Sequence, residues 1–117
     1  MKADNVIRQK SMDFAIRIMK LKRFLQMRKE FDISGQVTRS GTAIGALVRE
    51  AEYAESKQDF IHKMRIALKE ANETSYWLEL LFKTDVLDEN SYVSIREDNE
   101  ELKRMLVCII NTSRRSL

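Results

Sequence analysis

Two glutamates one helical turn apart, Glu70 and Glu73, form the arrangement in this chain that is most compatible with catalysis. Paired carboxylates can act as general acid and base when burial separates their pKa values. More often, charges near a core pair with opposite charges on a facing helix and fix its register. We predict such structural pairs for Arg39 and Arg49, in a charge cluster comprising Arg39, Arg49, Glu50, Glu70 and Glu73. A small-ligand or catalytic site built on Arg39, Glu50, Glu70 and Glu73 is the alternative.

Histidine and cysteine each occur once, and neither belongs to a recognisable reactive constellation. His62 follows Asp59 by three residues, but a di-iron site in a helical bundle needs such a motif from two helices. His62 is therefore predicted to be a surface or interface residue. Cys108 lies in the apolar run 106–110, which predicts a small buried thiol. We expect no catalytic residue, metal ion or cofactor, and hence no enzymatic activity.

The remaining candidate is a basic surface near the start of the chain. Residues 1–30 hold nine Lys or Arg against three Asp or Glu, whereas residues 85–117 hold five against seven. Cations along one helix can contact phosphates. The residues that we assign to a nucleic-acid site are Arg8, Lys10, Arg17, Lys20, Lys22 and Arg23, with Arg28 and Lys29 beyond them.

A competing interpretation of this basic surface is a solvated face, or pairing with the acidic stretch 97–101. For a single copy of the chain, this competing interpretation, a solvated face or pairing, is the stronger one. If several copies of the helix are aligned in a ring, their fields add and binding to RNA is favoured.

The candidate residues lie in long predicted helices, because the chain has no proline and only three glycines. Sheet proteins need turn residues at each hairpin, and this sequence offers almost none. Apolar residues recur at alternating spacings of three and four, as in helices with one buried face. Ser56 and Asp88 are suited to N-cap the third and fourth helices. The predicted helices span about 5–29, 34–54, 57–83 and 89–115, with Asp32 or Ser34 as the N-cap of the second.

Four long helices joined by short links pack in alternating directions. The fold predicted is an all-α, antiparallel up-down-up-down four-helix bundle, with residues 1–117 as a single domain. A single cysteine permits no intrachain disulfide, and the N-terminus lacks the apolar run of a signal peptide. No stretch has the apolar length that crosses a bilayer. We therefore expect a cytoplasmic protein with no membrane partner.

Two glycines, Gly41 and Gly45, fall inside the second predicted helix. Each glycine in a helix interior costs about 1 kcal/mol relative to alanine. They lie four residues apart on one face, so close approach of a neighbouring backbone is the expected compensation. The alternative is a local break, with a turn at residues 40–42.

The third predicted helix carries apolar side chains on nearly all sides, which exceeds what one bundle core accommodates. These residues are Ile61, Met64, Ile66, Leu68, Tyr76, Trp77, Leu80 and Leu81. Symmetric self-association would cover the surplus. A thick core with scattered apolar residues on the surface is the alternative.

Two long runs of the chain closely resemble a bacterial protein family. Residues 37–51 contain Arg39-Ser40-Gly41-Thr42, and residues 56–74 contain Ala67-Leu68-Lys69-Glu70-Ala71. They are similar to the four-helix bundle proteins named for open reading frames within intervening sequences of 23S ribosomal RNA genes. The likeness extends over nearly the whole chain, from the Phe14-Ala15 helix to residues 109–113.

This resemblance implies an antiparallel four-helix bundle and a homo-oligomer, with a five-membered ring as its expected form. It implies no established enzymatic activity. The fold also looks like the accessory variability protein of diversity-generating retroelements, a basic ring that engages a reverse transcriptase and nucleic acid. Our leading hypothesis is a non-enzymatic oligomer that binds RNA or a nucleoprotein partner through its basic first helix. A purely structural oligomer is a further alternative.

Overall fold

The computed structural model describes residues 2–116, with side chains described over 6–116, and these residues form four long helices without any strand. The helices are α1 (Lys2–Met27), α2 (Phe31–Ala51), α3 (Lys57–Lys83) and α4 (Glu89–Arg115). Each helix packs against its neighbours in sequence, and α1 also packs against α4. The bundle measures 47 × 21 × 19 Å. The prediction of an all-α, antiparallel four-helix bundle is confirmed.

The core follows the apolar spacing of the sequence. In α1 the fully buried side chains include Ile7, Phe14, Ile18 and Leu25, which recur every three or four residues along one face. The other helices bury similar stripes, with Ile44 on α2, Leu78 on α3 and Leu106 on α4 among the largest side chains enclosed. Burial of such side chains contributes about 1.5–3 kcal/mol each, which is the main energy holding the helices together.

The link between α1 and α2 is tighter than the sequence indicated. Lys29 adopts a left-handed backbone conformation with φ of 63°, and the Glu30 amide donates to the Leu25 carbonyl at 2.8 Å. This motif ends a helix by satisfying its last carbonyls, and it is usually made by glycine or asparagine. Because Lys29 makes the turn here, α2 begins at Phe31 and its N-cap is Glu30. The prediction of Asp32 or Ser34 as N-cap is wrong.

The predicted caps of α3 and α4 are confirmed. The Asp59 amide donates to the Ser56 hydroxyl at 3.0 Å, and the Ser91 amide donates to the Asp88 carboxylate at 2.7 Å. The amide and hydroxyl of Ser91 hold the pKa of the Asp88 carboxyl below its usual value. Asp88 therefore stabilises the fold above the pKa it has in the unfolded chain, and this contribution is lost as the pH falls through the folded value.

Gly41 and Gly45 both lie where α2 packs against α1. A Cβ atom added at Gly41 would lie 2.7 Å from Cγ1 and 3.1 Å from Cγ2 of Ile18. One added at Gly45 would meet the Ser11 carbonyl oxygen at 3.4 Å, an ordinary contact. The helix is continuous through both positions, so the alternative of a break at residues 40–42 is wrong. The neighbour at Gly41 is the side chain of Ile18, which occupies the space of the missing side chain, and the predicted approach of a neighbouring backbone is found at Gly45.

A small polar layer, which was not predicted from the sequence, crosses the middle of the core. Thr74 of α3 donates its hydroxyl to Ser40 of α2 at 2.9 Å. Asn99 of α4 is fully buried and donates to the carbonyl of Ala71 at 3.0 Å and to the hydroxyl of Ser75 at 2.9 Å. Such contacts are satisfied in one axial alignment of the helices only, so they favour the observed register.

Alanine substitutions at the two glycines should have opposite effects on stability. Gly41→Ala should lower the free energy of unfolding by about 1 kcal/mol, because a clash with the branched Ile18 side chain outweighs the gain in helix propensity. Gly45→Ala should raise it by up to about 1 kcal/mol, because its contacts are ordinary and the propensity gain remains. Urea unfolding of both variants measures the difference, and equal effects would contradict the assigned contact.

Candidate nucleic-acid interface

The first half of α1 has its candidate cations paired with carboxylates of the same chain. Arg8 lies 2.8 Å from Glu52 in the α2–α3 link. Lys10 lies 3.1 Å from Glu101 on α4. Each of these side chains is already neutralised within the bundle, so it has less to offer a phosphate.

Arg17 is held in the same way, at two points of α4. One guanidinium nitrogen lies 2.8 Å from the Asp98 carboxylate, and another donates to the Ser94 hydroxyl at 2.9 Å. The predicted pairing of the basic helix with the acidic stretch 97–101 therefore forms at Lys10 and Arg17.

The second half of α1 is different. Among the side chains of residues 6–116, Lys20, Lys22 and Arg23 have no carboxylate within ion-pair distance. The next two cations along the chain, Arg28 and Lys29, are also exposed and unpaired within that range. Five positive charges thus lie within ten residues at the end of α1, and we call these residues the basic end: Lys20, Lys22, Arg23, Arg28 and Lys29.

A groove runs beside the basic end, between α1 and the start of α4. Its volume is about 310 Å³, and its apolar walls include Leu21, Phe24, Val86 and Ile95. Lys20 and Asp88 stand on opposite sides of it. Apolar walls with a few polar groups are typical of small-ligand sites, and this volume is at the lower end of their range.

The predicted charge cluster separates into two parts. Arg39 contacts Glu70 at 3.2 Å and also pairs with Glu73, whose carboxylate accepts from the Trp77 indole at 2.9 Å. The single guanidinium bridges the two carboxylates on the surface between α2 and α3, where Arg39 is half exposed. The expected pairing of Arg39 is thereby found, at a place where ion pairs contribute about 1 kcal/mol or less.

Glu50 and Arg49 lie near the other end of α2 and do not join this group. Glu50 is 3.5 Å from Lys63 of α3. Arg49 makes no ion pair with any side chain of residues 6–116. The predicted pairing of Arg49 with a glutamate is wrong, since Arg49 lies between the groove beside α1 and a second one near the start of α3 without reaching a carboxylate.

Two reactive residue types lie on the surface. His62 is exposed, as expected for a surface residue. Cys108 is exposed as well, and the prediction of a buried thiol is wrong. Consecutive residues of a helix point to different sides of it, so only Leu106, Ile109 and Ile110 of the apolar run 106–110 face the core. Among the side chains of residues 6–116, no three His, Cys, Asp or Glu are grouped to hold a metal ion. Within residues 2–116, no helix is long and apolar enough to cross a membrane.

The surplus apolar surface lies on α1 and not on α3. Most apolar side chains of α3 are at least partly buried, and of the eight named above only Tyr76 is exposed. On α1, Met12 and Ile16 are 40% and 49% exposed one turn apart, and Met27 at its end is 85% exposed. The prediction of surplus apolar surface on α3 was wrong because contacts with both α2 and α4 cover the wide apolar face of this helix.

Fold and surface together define a small all-helical bundle protein with an unneutralised basic end. The chain belongs to the 23S rRNA-intervening sequence protein family, whose model matches residues 3–108. It is similar to a protein of unknown function from the S23 ribosomal protein family of Bacteroides thetaiotaomicron, with 53% identity and a TM-score of 0.91. The match covers 93% of this chain and 98% of that one. No curated protein matches the chain.

Proposed function

We propose that this chain is a non-enzymatic bundle protein that assembles with copies of itself and binds RNA through the basic end of α1. The observation that carries the proposal is the division of cations along α1. Arg8, Lys10 and Arg17 are engaged by Glu52, Glu101 and Asp98, whereas the basic end has no such partners in the described chain. Closely spaced cations without carboxylate partners are the groups that bind the phosphate backbone of a nucleic acid.

Further support comes from the position of the basic end. Its residues occupy the last two turns of α1 and the link to α2, so they protrude at one tip of an elongated bundle. The acidic residues at this tip, among them Glu30 and Asp32, make no ion pair with the basic end. The family name refers to ribosomal RNA genes, and a location in the cytoplasm is part of the same proposal.

Self-association is supported by the exposed apolar residues of α1. Met12 and Ile16 lie on the side of the helix opposite its buried seam, where a monomer leaves them in water. The resemblance described above favours a five-membered ring. In any closed ring each copy presents its basic end in an equivalent position, so the positive potentials add and RNA is attracted more strongly than by one chain.

A catalytic or small-ligand site on Arg39, Glu50, Glu70 and Glu73 is the less favoured function. Arg39, Glu70 and Glu73 are engaged with one another, and Glu50 pairs instead with Lys63. The ion pairs account for the positions of these charges, and no observation on these residues indicates that they bind a substrate.

Charge reversal at the basic end should abolish RNA binding. Lys20→Glu combined with Arg23→Glu should weaken binding of a labelled RNA hairpin more than tenfold at low salt, because each removed phosphate contact also ends the release of bound counterions. Fluorescence anisotropy across a salt series measures the affinity. Arg65→Glu with Lys69→Glu on α3 is the matched control, since both side chains are exposed and the change of charge is equal. Equal losses in the two variants would contradict the site.

A charge on the exposed apolar face of α1 should dissociate the assembly. Ile16→Glu should reduce the mass measured by light scattering to that of a monomer, because burying an unpaired carboxylate in an apolar contact costs several kcal/mol. Tyr76→Glu on α3 is the control and should leave the mass unchanged. A wild-type chain that is already monomeric, or a Tyr76 variant that dissociates instead, would contradict the proposed surface.

A further inference from the structure

The groove between α1 and α4 contains the components of a site for a flat aromatic group attached to an anion. Phe24 is 40% exposed and belongs to the apolar wall of the groove, so the part of its ring that Arg28 does not cover is available for contact. The Arg28 guanidinium lies 5.6 Å from the centre of that ring. Aromatic rings and guanidinium planes are the two surfaces on which unpaired nucleic-acid bases stack in proteins.

Charges at the rim of the groove are arranged asymmetrically. Lys20, on the α1 side, has no carboxylate within ion-pair distance in the described chain. The neighbouring Arg17 is fixed by Asp98 and Ser94, which holds that side of the rim in place. Asp88 lies on the opposite side, where its carboxylate repels phosphate and can accept a hydrogen bond from an amino group of a base. An anion is therefore directed toward Lys20 on α1, and an amino group of a base toward Asp88 at the start of α4.

We propose, on the basis of the RNA-binding function above, that this groove holds one unpaired nucleotide of an RNA strand, with its base against Phe24 and its phosphate beside Lys20. The other cations of the basic end, Lys22 and Arg23 among them, then contact the neighbouring phosphates. Duplex RNA is excluded from the groove, because its bases are stacked inside the helix and present no free face. The protein consequently prefers RNA with a loop, bulge or single-stranded end.

The test compares two labelled RNAs of equal charge on the intact chain. One is a hairpin with a large unpaired loop, and the other is a blunt duplex with the same number of phosphates. The wild-type protein should bind the looped RNA about tenfold more tightly, a difference of about 1.4 kcal/mol. Phe24→Ala should remove this preference and leave the affinity for the duplex unchanged, while Phe24→Tyr should retain it because the ring is kept.

A matched control is available at the same tip of the bundle. Phe31 is 62% exposed, is the first residue of α2, and does not line the groove. Phe31→Ala should leave the preference for looped RNA intact. Thermal unfolding of the three variants confirms that the fold is retained, and light scattering confirms that the assembly has the wild-type mass.

Several results would overturn the inference. Equal affinity of the wild-type chain for the two RNAs, or a preference that survives Phe24→Ala, excludes a role of the groove while the basic end still binds RNA. A change of assembly mass in Phe24→Ala identifies the groove as a contact between copies. Adenosine monophosphate that binds as tightly as the looped RNA identifies a site for free nucleotides. Failure of the wild-type chain to bind either RNA removes the proposed function together with this inference.

Discussion

The packing of α1 is the constraint on which the rest of the structure depends. This helix closes the bundle by contacting α2 on one side and α4 on the other. Toward α2 it approaches so closely that Ile18 fills the space of the side chain absent at Gly41. Toward α4, two ion pairs lie at the edge of the contact between the helices, Lys10 with Glu101 and Arg17 with Asp98. These contacts determine which parts of a strongly basic helix remain available to a partner.

What remains available is divided along the length of α1. The first half exposes the apolar pair Met12 and Ile16 and has its cations neutralised, which suits contact with another copy of the chain. The second half exposes unneutralised cations and the ring of Phe24, which suits contact with RNA. One helix thus carries two different surfaces, and in a ring of copies the surface proposed to bind RNA would recur at regular intervals.

Much of the fold could be predicted from the sequence because its signals are local. Ser56 and Asp88 cap helices through their own backbone neighbourhood, and the seam of α1 follows from the spacing of its apolar residues. The start of α2 was predicted three residues too late. The left-handed residue that ends a helix is usually a glycine, which can be recognised in a sequence, but here it is a lysine. The helical periodicity could be predicted from the sequence, but the turn that ends α1 could not.

The candidate site was harder to predict because it depends on distances between helices. A list of basic residues does not reveal that Arg17 pairs with Asp98 whereas Lys20 has no carboxylate within ion-pair distance among residues 6–116, since both belong to the same stretch of charge. The same limit applies to Arg49, which lies near carboxylates of α2 and the α2–α3 link but forms no ion pair with any side chain of residues 6–116. Cys108 and the apolar face of α3 were misjudged for a related reason, because burial depends on which side of a helix its neighbours cover.

The salt dependence of RNA affinity tests the division of α1 most directly. Neutralising a cation that contacts phosphate reduces the slope of log affinity against log salt concentration by about 0.7 for single-stranded RNA. A variant with Lys20, Lys22 and Arg23 changed to glutamine should therefore show a slope shallower by about 2. The same change at Arg8, Lys10 and Arg17 should leave the slope close to that of the wild type. A slope that falls equally in both variants, or only in the second, would contradict the account.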